Sequence, residues 1–309
     1  MGAMTTSHNL SRTAAIWVTL ASAALFGLAT PAVKPFIAGI DPQLAAGVLY
    51  LGMGMGLLIA YLSRGTPAPN VAKSETKWLL ISVICGGIVA PWLIFWGLAH
   101  ATATATSLLA NTEVVFSTLL ARFWFGERYS NRLFIGVVLI VGGAMALGGL
   151  RGGMDPLPAV AVVAACAFWG VDNNAMRQIS HADASFVGSI KGSVAGVSNV
   201  LLAIVWGASI PATGSLLGIM AVGLVCYGAS FGLYVQGLRV LGAARTSAFY
   251  GTAPFAGALM GVGLLHEPVT VNLVASAALM GAGVWLHAVE PHPPIGPHLV
   301  DVADADPDR

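Results

Sequence analysis

Charged side chains are scarce in this sequence, and their scarcity argues against a water-soluble fold. Asp, Glu, Lys and Arg make up only 9% of the residues, against about 25% in ordinary soluble domains. Hydrophobic residues make up 57%, and the mean hydropathy is +0.81. Clusters of Lys and Arg with interleaved aromatic residues are also absent, so nucleic-acid binding has no electrostatic basis.

Paired cysteines and enzyme signatures are missing as well. Cys85, Cys166 and Cys226 each stand alone in an apolar run, which predicts embedded thiols without a disulfide or metal role. No HExxH, GxSxG, P-loop or GxGxxG motif stands at a strand-to-helix junction. We therefore expect neither an enzyme nor an ATP-driven pump, and no cofactor.

What the sequence has in abundance is long apolar runs between short polar or Pro/Gly-rich breaks. A bilayer core about 30 Å thick needs roughly 20 apolar residues per helix. These runs predict an all-α membrane protein with ten transmembrane helices. The predicted spans cover residues 13–33, 43–63, 77–99, 102–122, 132–150, 156–177, 183–208, 212–236, 244–265 and 269–289.

Both ends of the chain look unlike these spans. Residues 1–12 form an N-terminal tail in which MGA before Met4 looks like an expression remnant. Residues 290–309 are rich in Pro and Asp, which predicts a disordered tail. Its His292 and His298, with His287 before them, are too far apart in Pro-rich sequence to indicate a metal site.

Positive charges fall almost entirely on one side of the predicted spans. If the N-terminus is cytoplasmic, only Lys34 and Arg151 lie outside, and the positive-inside rule then predicts that both termini are cytoplasmic. The charges on the cytoplasmic side are Arg12, Arg64, Lys73, Lys77, Arg122, Arg128, Arg132, Arg177, Arg239, Arg245 and Arg309.

An internal repeat organises the spans. ALFGLATPAVK, ending at Lys34, aligns with AFWGVDNNAMR, ending at Arg177. A second block aligns Gly97 with Gly237 and Glu127 with Glu267, and pairs the Thr-Ser dipeptide at 106–107 with that at 246–247. The sequence thus predicts two five-helix repeats, residues 13–150 and 156–289.

An odd number of spans in each repeat has a geometric consequence. The two repeats must lie in the membrane upside down relative to each other. Inverted repeats place a substrate site near the midplane where the halves meet, and they can open it to either side by rocking. Glu127 and Glu267 then lie on opposite sides, at helix ends that suggest capping rather than substrate binding.

On these residues the chain resembles the drug/metabolite transporter superfamily, EamA type, over about residues 13 to 289. The motifs that carry the resemblance are Phe26-Gly27 and Trp169-Gly170, together with Gly126-Glu127 and His266-Glu267. His266 departs from the more usual Gly. The resemblance implies a ten-helix carrier of the bacterial inner membrane that exports amino acids, other metabolites or toxic compounds. It does not identify the solute.

Charges within spans are costly, so each is a functional hypothesis. Asp172 and Lys191 lie at similar depths in neighbouring spans, which predicts a contact between them. The pair is as compatible with structural packing as with transport. Asn173 and Asn174 follow Asp172, and Arg245 opens the ninth span.

Glu113, near the middle of the fourth span, is the sharper candidate. An isolated carboxylate in a low-dielectric setting can bind and release a proton or bind an amine. The alternative is a carboxyl group tied to Asn111, Thr112 or Arg245.

Aromatic residues of the spans could line the site. Trp92, Trp96, Trp169 and Tyr250 lie in helices expected at the interface between halves, although a Trp in such a span is more often a packing or interface residue. Prolines that interrupt spans free backbone carbonyls, which suits either a substrate site or a kink. These are Pro31, Pro91 and Pro254.

Two functions remain open at this level. The first is a secondary carrier, with proton coupling, that moves a small organic molecule, favouring an amino acid or amine, by alternating access. The second is a ligand- or lipid-binding receptor or scaffold without net transport. The predicted partners are the solute and the lipid bilayer. A homodimer is compatible with the small-residue faces but not required by them.

Overall fold

The described part of the chain is helical. The structure is a computed structural model that describes residues 11–64, 75–126, 130–148, 155–179, 182–241, 246 and 249–288, and those residues contain no β-strand. The predicted all-α class is confirmed. Glu127, Arg245 and the tail 290–309 lie outside the described residues.

The described residues of the first half form seven α-helices and one π-helical segment. The first π-helical segment, Ser82–Val89, joins α3 to α4 without a break. The helices are α1 (Arg12–Val33), α2 (Pro42–Leu62), α3 (Thr76–Ile81), α4 (Ala90–Ala99), α5 (Ala103–Leu109), α6 (Thr112–Phe125) and α7 (Asn131–Gly148).

The described residues of the second half form six α-helices and one π-helical segment. The second π-helical segment, Gly223–Ala229, lies between α10 and α11. The helices are α8 (Pro156–Arg177), α9 (Ala184–Val205), α10 (Thr213–Val222), α11 (Ser230–Leu241), α12 (Ala253–Leu265) and α13 (Val271–Ala288).

Seven stretches of the described chain are long and apolar enough to cross a membrane. They match seven of the predicted spans, and the helices 131–147 and 253–265 are apolar but shorter. The fourth predicted span, 102–122, is wrong as one continuous helix. It divides into α5 and α6 at Ala110 and Asn111, where the Thr112 hydroxyl donates to the Leu109 carbonyl (2.8 Å) and stabilises the break.

Helix ends in the two halves use matching chemistry. The Asp41 carboxylate accepts from the first amides of α2, and the Asp183 carboxylate does the same for α9. Such caps satisfy amides that a helix leaves without partners. Gly126 after α6 and His266 after α12 both adopt the left-handed conformation, with φ 66° and 53°. Gly adopts this conformation without strain, which explains why Gly is more usual than His there.

Glycines bring helices from the two halves into close contact. A Cβ added at Gly47 of α2 would lie 2.8 Å from the Val200 backbone nitrogen of α9, and one added at Gly192 of α9 would lie 2.7 Å from Gly54 of α2. Residue numbers therefore rise along α2 as they fall along α9, and the two helices run antiparallel. Such small residues are the usual means of close helix packing in membranes.

Candidate functional site

A cavity of about 80 Å³ lies between the two halves. Its walls come from α1, α2, α4, α5, α6, α8, α12 and the second π-helical segment. Glu113 is the charged member of the described lining. The lining side chains that bear on its chemistry are Phe26, Phe95, Thr106, Glu113, Trp169 and Tyr227.

Glu113 lies in the first turn of α6, just after the break in the fourth span. Its carboxylate accepts a hydrogen bond from the Asn173 amide of α8 (2.6 Å), and the same amide donates to the Ser117 hydroxyl (3.0 Å). The carboxylate thus joins the fourth span of one half to the first span of the other. A helix N-terminus also favours a negative charge.

Asn111 and Thr112, which the sequence predicted as hydrogen-bond partners of Glu113, have other partners. The Asn111 amide donates to the Leu108 carbonyl (2.9 Å), and the Thr112 hydroxyl donates within its own helix break. Asn173 binds Glu113 in their place, because α8 crosses α6 at this level. Arg245, the third expected partner, lies outside the described residues.

Five aromatic rings form a continuous group beside the cavity. The Phe26 ring centroid lies 5.0 Å from that of Tyr227 and 5.3 Å from that of Tyr250. Tyr50 and Tyr234 extend the group, at 6.1 Å from Tyr227 and 5.0 Å from Tyr250. Such rings offer both apolar area and negative π faces that attract cations.

The predicted contact between Asp172 and Lys191 is present. Both side chains are buried, and the Lys191 ammonium donates to one oxygen of the Asp172 carboxylate. The Ser82 hydroxyl donates to the other oxygen (2.5 Å). The pair therefore adds no net charge to the interior, and it joins α8, α9 and the first π-helical segment.

The first π-helical segment presents its carbonyls to side chains from other helices. Ala90 donates to Cys85 rather than Gly86, and Pro91 has no N–H to offer. The Gly86 carbonyl is left over, and it accepts from the Tyr50 hydroxyl (2.7 Å) and the Trp169 indole N–H (3.3 Å). The freed carbonyl thus supports helix packing next to the cavity. This is the role expected of a proline that kinks a helix, not of one that opens a substrate site.

The remaining candidate residues lie outside the described lining of the cavity. The Trp92 ring lies 6.2 Å from the Trp206 ring, and the Trp96 ring stacks on His100 at 4.4 Å. The Asn174 amide donates to the Ser117 carbonyl (3.0 Å) and so supports the packing of α8 on α6. Their assignment to substrate binding stays a prediction.

Sequence reasoning missed Tyr50, Tyr227 and Ser82. A signal existed for the two tyrosines, because each places a hydroxyl inside an apolar span where a buried hydroxyl needs a partner. Ser82 carried no signal, because serine is ordinary in membrane spans.

Glu267 caps a helix of the opposite half. Its two carboxylate oxygens accept from the backbone amides of Ala103 and Thr104, each at 2.7 Å, at the start of α5. Capping, the role expected from the sequence, is confirmed for Glu267. Glu127 lies outside the described residues.

The long apolar helices, with a cavity between them, are those of a multi-pass membrane protein. The EamA-like transporter family model matches residues 13–149 and again 157–289. The chain belongs to this family, and with it to the drug/metabolite transporter superfamily. It is a transporter rather than an enzyme.

Similar proteins carry transporter names. The chain is 26% identical to an uncharacterized transporter of Methanothermobacter thermautotrophicus, covering 84% of this chain and 82% of that protein. It is 22% identical to the uncharacterized transporter YoaV of Bacillus subtilis, covering 85% and 92%. The chain is also 29% identical to ArnE of Pseudomonas fluorescens, a probable 4-amino-4-deoxy-L-arabinose-phosphoundecaprenol flippase subunit. This match covers 34% of this chain and 90% of ArnE.

The fold has been seen before. A crystal structure of another protein superposes on this chain with a TM-score of 0.66 at 21% sequence identity. The match covers 89% of this chain and 96% of that one.

Proposed function

We propose that this transporter exports a small organic solute that carries an amine, as amines and amino acids do, by alternating access between two inverted halves. The observation that carries the proposal is Glu113, a carboxylate facing a cavity between the halves and flanked by aromatic rings. The family membership favours transport over the receptor or scaffold alternative.

The ten-span inverted arrangement is supported by contacts that repeat when the halves are exchanged. Gly97 packs on Pro158 and Val162 at the start of α8, and its aligned partner Gly237 packs on Ala15 and Thr19 at the start of α1. The two π-helical segments also lie at aligned positions in the third span of each half.

A second pair of contacts follows the same rule. Gly170 of α8 lies against Ser117 of α6, and Gly27 of α1 lies against Gly257 of α12. Ser117 and Gly257 are aligned in the repeat. The aligned helices α2 and α9 run antiparallel, which supports an inverted relation between the halves and, with it, alternating access.

The chemistry of the cavity favours a cation over an anion. Glu113 supplies a negative charge, and Phe26, Phe95, Trp169 and Tyr227 supply aromatic faces. A cation over an aromatic face gains about 0.5–2 kcal/mol, more when it is desolvated. Since Asp172 and Lys191 neutralise each other, they do not oppose this preference.

Proton coupling follows from the same carboxylate. A carboxylate that binds either an ammonium or a proton, but not both, exchanges one for the other on opposite sides of the membrane. The small volume of the cavity indicates that the solute enters a more open arrangement, since pockets for drug-sized ligands usually measure about 300–1,000 Å³.

Transport into proteoliposomes with Glu113→Gln tests this function. Purified protein is screened against amines and amino acids with an imposed pH gradient. We expect the native protein to move an amine in exchange for protons and the variant to lose pH-driven transport. Glu75→Gln, which makes the same chemical change outside the cavity, is the control. Full pH-driven activity of the Glu113 variant would overturn the proposal.

A further inference from the structure

Two cavities of this molecule share one short helix as their wall. Thr106 of α5 and Ala110 just after it line the central cavity described above. A second cavity, here called the outer pocket, lies beyond the start of α5 and measures about 300 Å³. Its lining includes Thr102, Thr104 and Ala105. Movement of α5 would therefore connect the two spaces.

The helix α5 is buried along its whole length and depends on contacts with other helices for its position. It contains only seven residues, and a helix this short is marginal without outside contacts. At its far end the chain breaks at Ala110 and Asn111 before α6 begins. A short helix with a break at one end can rotate as a unit if its other end is released.

The other end is held by the opposite half. Glu267 follows α12 and accepts from both the Ala103 and the Thr104 amides, and also from the Thr104 hydroxyl. Hydrogen bonds to a carboxylate are roughly twice as strong as neutral ones. A Cβ at Gly261 of α12 would lie 3.1 Å from the Thr104 nitrogen and 3.2 Å from the Glu267 carboxylate. The junction is therefore closely packed as well as hydrogen-bonded.

The contact differs from an ordinary helix cap, because it crosses between the halves. The Asp41 carboxylate caps α2 with two amide bonds of 2.9 and 3.0 Å, but it stands directly before the helix that it caps. Breaking the Asp41 cap would fray one helix, whereas breaking the Glu267 cap would remove the carboxylate hydrogen bonds by which the opposite half holds α5. The Lys34 ammonium donates to the Leu98 and Ala101 carbonyls and so secures the turn that precedes α5.

The outer pocket suits the same kind of solute as the central cavity. Asp155 supplies a carboxylate to its lining, and the other polar lining residues are His100, Thr102, Thr104, Thr270 and Asn272. Asp155 stands at the N-cap of α8, but its side chain makes no capping hydrogen bond. A carboxylate beside hydroxyls in an open pocket can hold an ammonium that is regaining its water.

We infer that α5 is the gate between the central cavity and the outer pocket, and that Glu267 is the positioning residue that holds this gate closed. The inference rests on the proposed function for the solute, which would pass from Glu113 to the pocket beside Asp155. The gate itself can be tested without any solute.

Cysteine labelling measures how often the gate opens. Thr106→Cys is placed in a background whose native cysteines are replaced by alanine. A membrane-impermeant, cationic methanethiosulfonate reagent is then applied from the side of the outer pocket. We expect Glu267→Gln to raise the labelling rate about tenfold, because Gln loses the charge and can accept from only one of the two amides while its NH₂ group faces the other. Thr104→Val removes one donor, and we expect a smaller rise of about threefold.

Asp41→Asn is the matched control, because it removes the charge from a two-amide cap on a helix that does not separate the cavities. We expect its labelling rate to equal that of the parent. The inference is overturned if Glu267→Gln labels at the parent rate, or if Asp41→Asn raises labelling as much. Melting temperatures of all variants identify a fold defect, and the Thr104 variant then decides, since a parent rate there also overturns the gate. Failure of amine transport by the native protein would instead overturn the proposed function.

Discussion

At the scale of single residues, the buried pair of Asp172 and Lys191 removes two charges from water and compensates each with the other. Removing one partner strands a charge in the interior, and in soluble proteins this costs about 3–5 kcal/mol, whereas replacing both with uncharged residues of similar volume is often neutral. The pair also fixes three elements through Ser82.

We therefore expect each single variant, Asp172→Asn or Lys191→Met, to lower the melting temperature of the detergent-solubilised protein. The double variant should recover much of the loss, because neither charge is then left alone. Thermal unfolding measured on all three variants checks this. Additive losses in the double variant would show that the two side chains do not stabilise each other. The transport rate of the double variant then distinguishes a structural pair from a functional one.

Tyr50 offers a second test at this scale. Its hydroxyl donates to the Gly86 carbonyl, which the π-helical geometry and Pro91 leave without a backbone partner. Tyr50→Phe should destabilise the protein by about 1 kcal/mol, since the Trp169 indole still reaches the same carbonyl. Tyr61→Phe is the control, on a residue that packs against Phe186. Equal melting temperatures for the two variants would contradict this account of the π-helical segment.

Residue-level prediction from the sequence succeeded where charge alone was decisive. Asp172 and Lys191 stand out from apolar runs, and helix rise brings them to one depth. The partner of Glu113 could not be predicted, because the bond from Asn173 depends on how α8 crosses α6. The sequence carries no direct signal for that crossing.

At the scale of elements, the close approach of α8 to α6 sets the geometry around Glu113. Gly170 makes this approach, and a Cβ added there would lie 2.8 Å from the Phe116 Cβ and 3.0 Å from the Ser117 nitrogen. Separating the helices would also stretch the bond from Asn173 to Glu113, one turn further along α8.

Gly170→Ala should therefore lower stability by about 1–3 kcal/mol, as overpacking does, and should reduce transport. Gly142→Ala on α7 is the matched control, because a Cβ there meets nothing within 4 Å. We expect the control to keep its melting temperature and its transport rate. A Gly170 variant that behaves like the control would show that α8 and α6 tolerate separation.

The elements themselves were largely predictable, because apolar length between polar breaks indicates a membrane helix directly. The division of the fourth span into α5 and α6 was not. Its sequence, LLANTEV, has no Pro or Gly at the break, and the low helix propensity of Asn and Thr is too weak a signal by itself to end a helix within an apolar run. The Asn111 and Thr112 side chains stabilise the break only once the carbonyls of α5 are in place.

At the scale of the whole molecule, the repeat in the sequence corresponds to a repeat in the contacts. Gly97 and Gly237 align in the amino-acid sequence, and each packs on the start of the first helix of the opposite half. The size of the cavity and the cap of Glu267 on α5 could not be predicted, because both depend on how the halves pack together.

The direct test of the inverted arrangement uses two aligned positions. Ser130 and Thr270 each precede the last helix of their half, and each hydroxyl accepts from the amide three residues on. Ser130→Cys and Thr270→Cys are made separately in the cysteine-free background and treated with an impermeant maleimide in sealed vesicles of known orientation. Inverted halves predict that the cysteine at 130 is labelled only from the cytoplasmic side and the one at 270 only from the opposite side. Labelling of both from the same side would contradict the inverted halves and the central cavity between them.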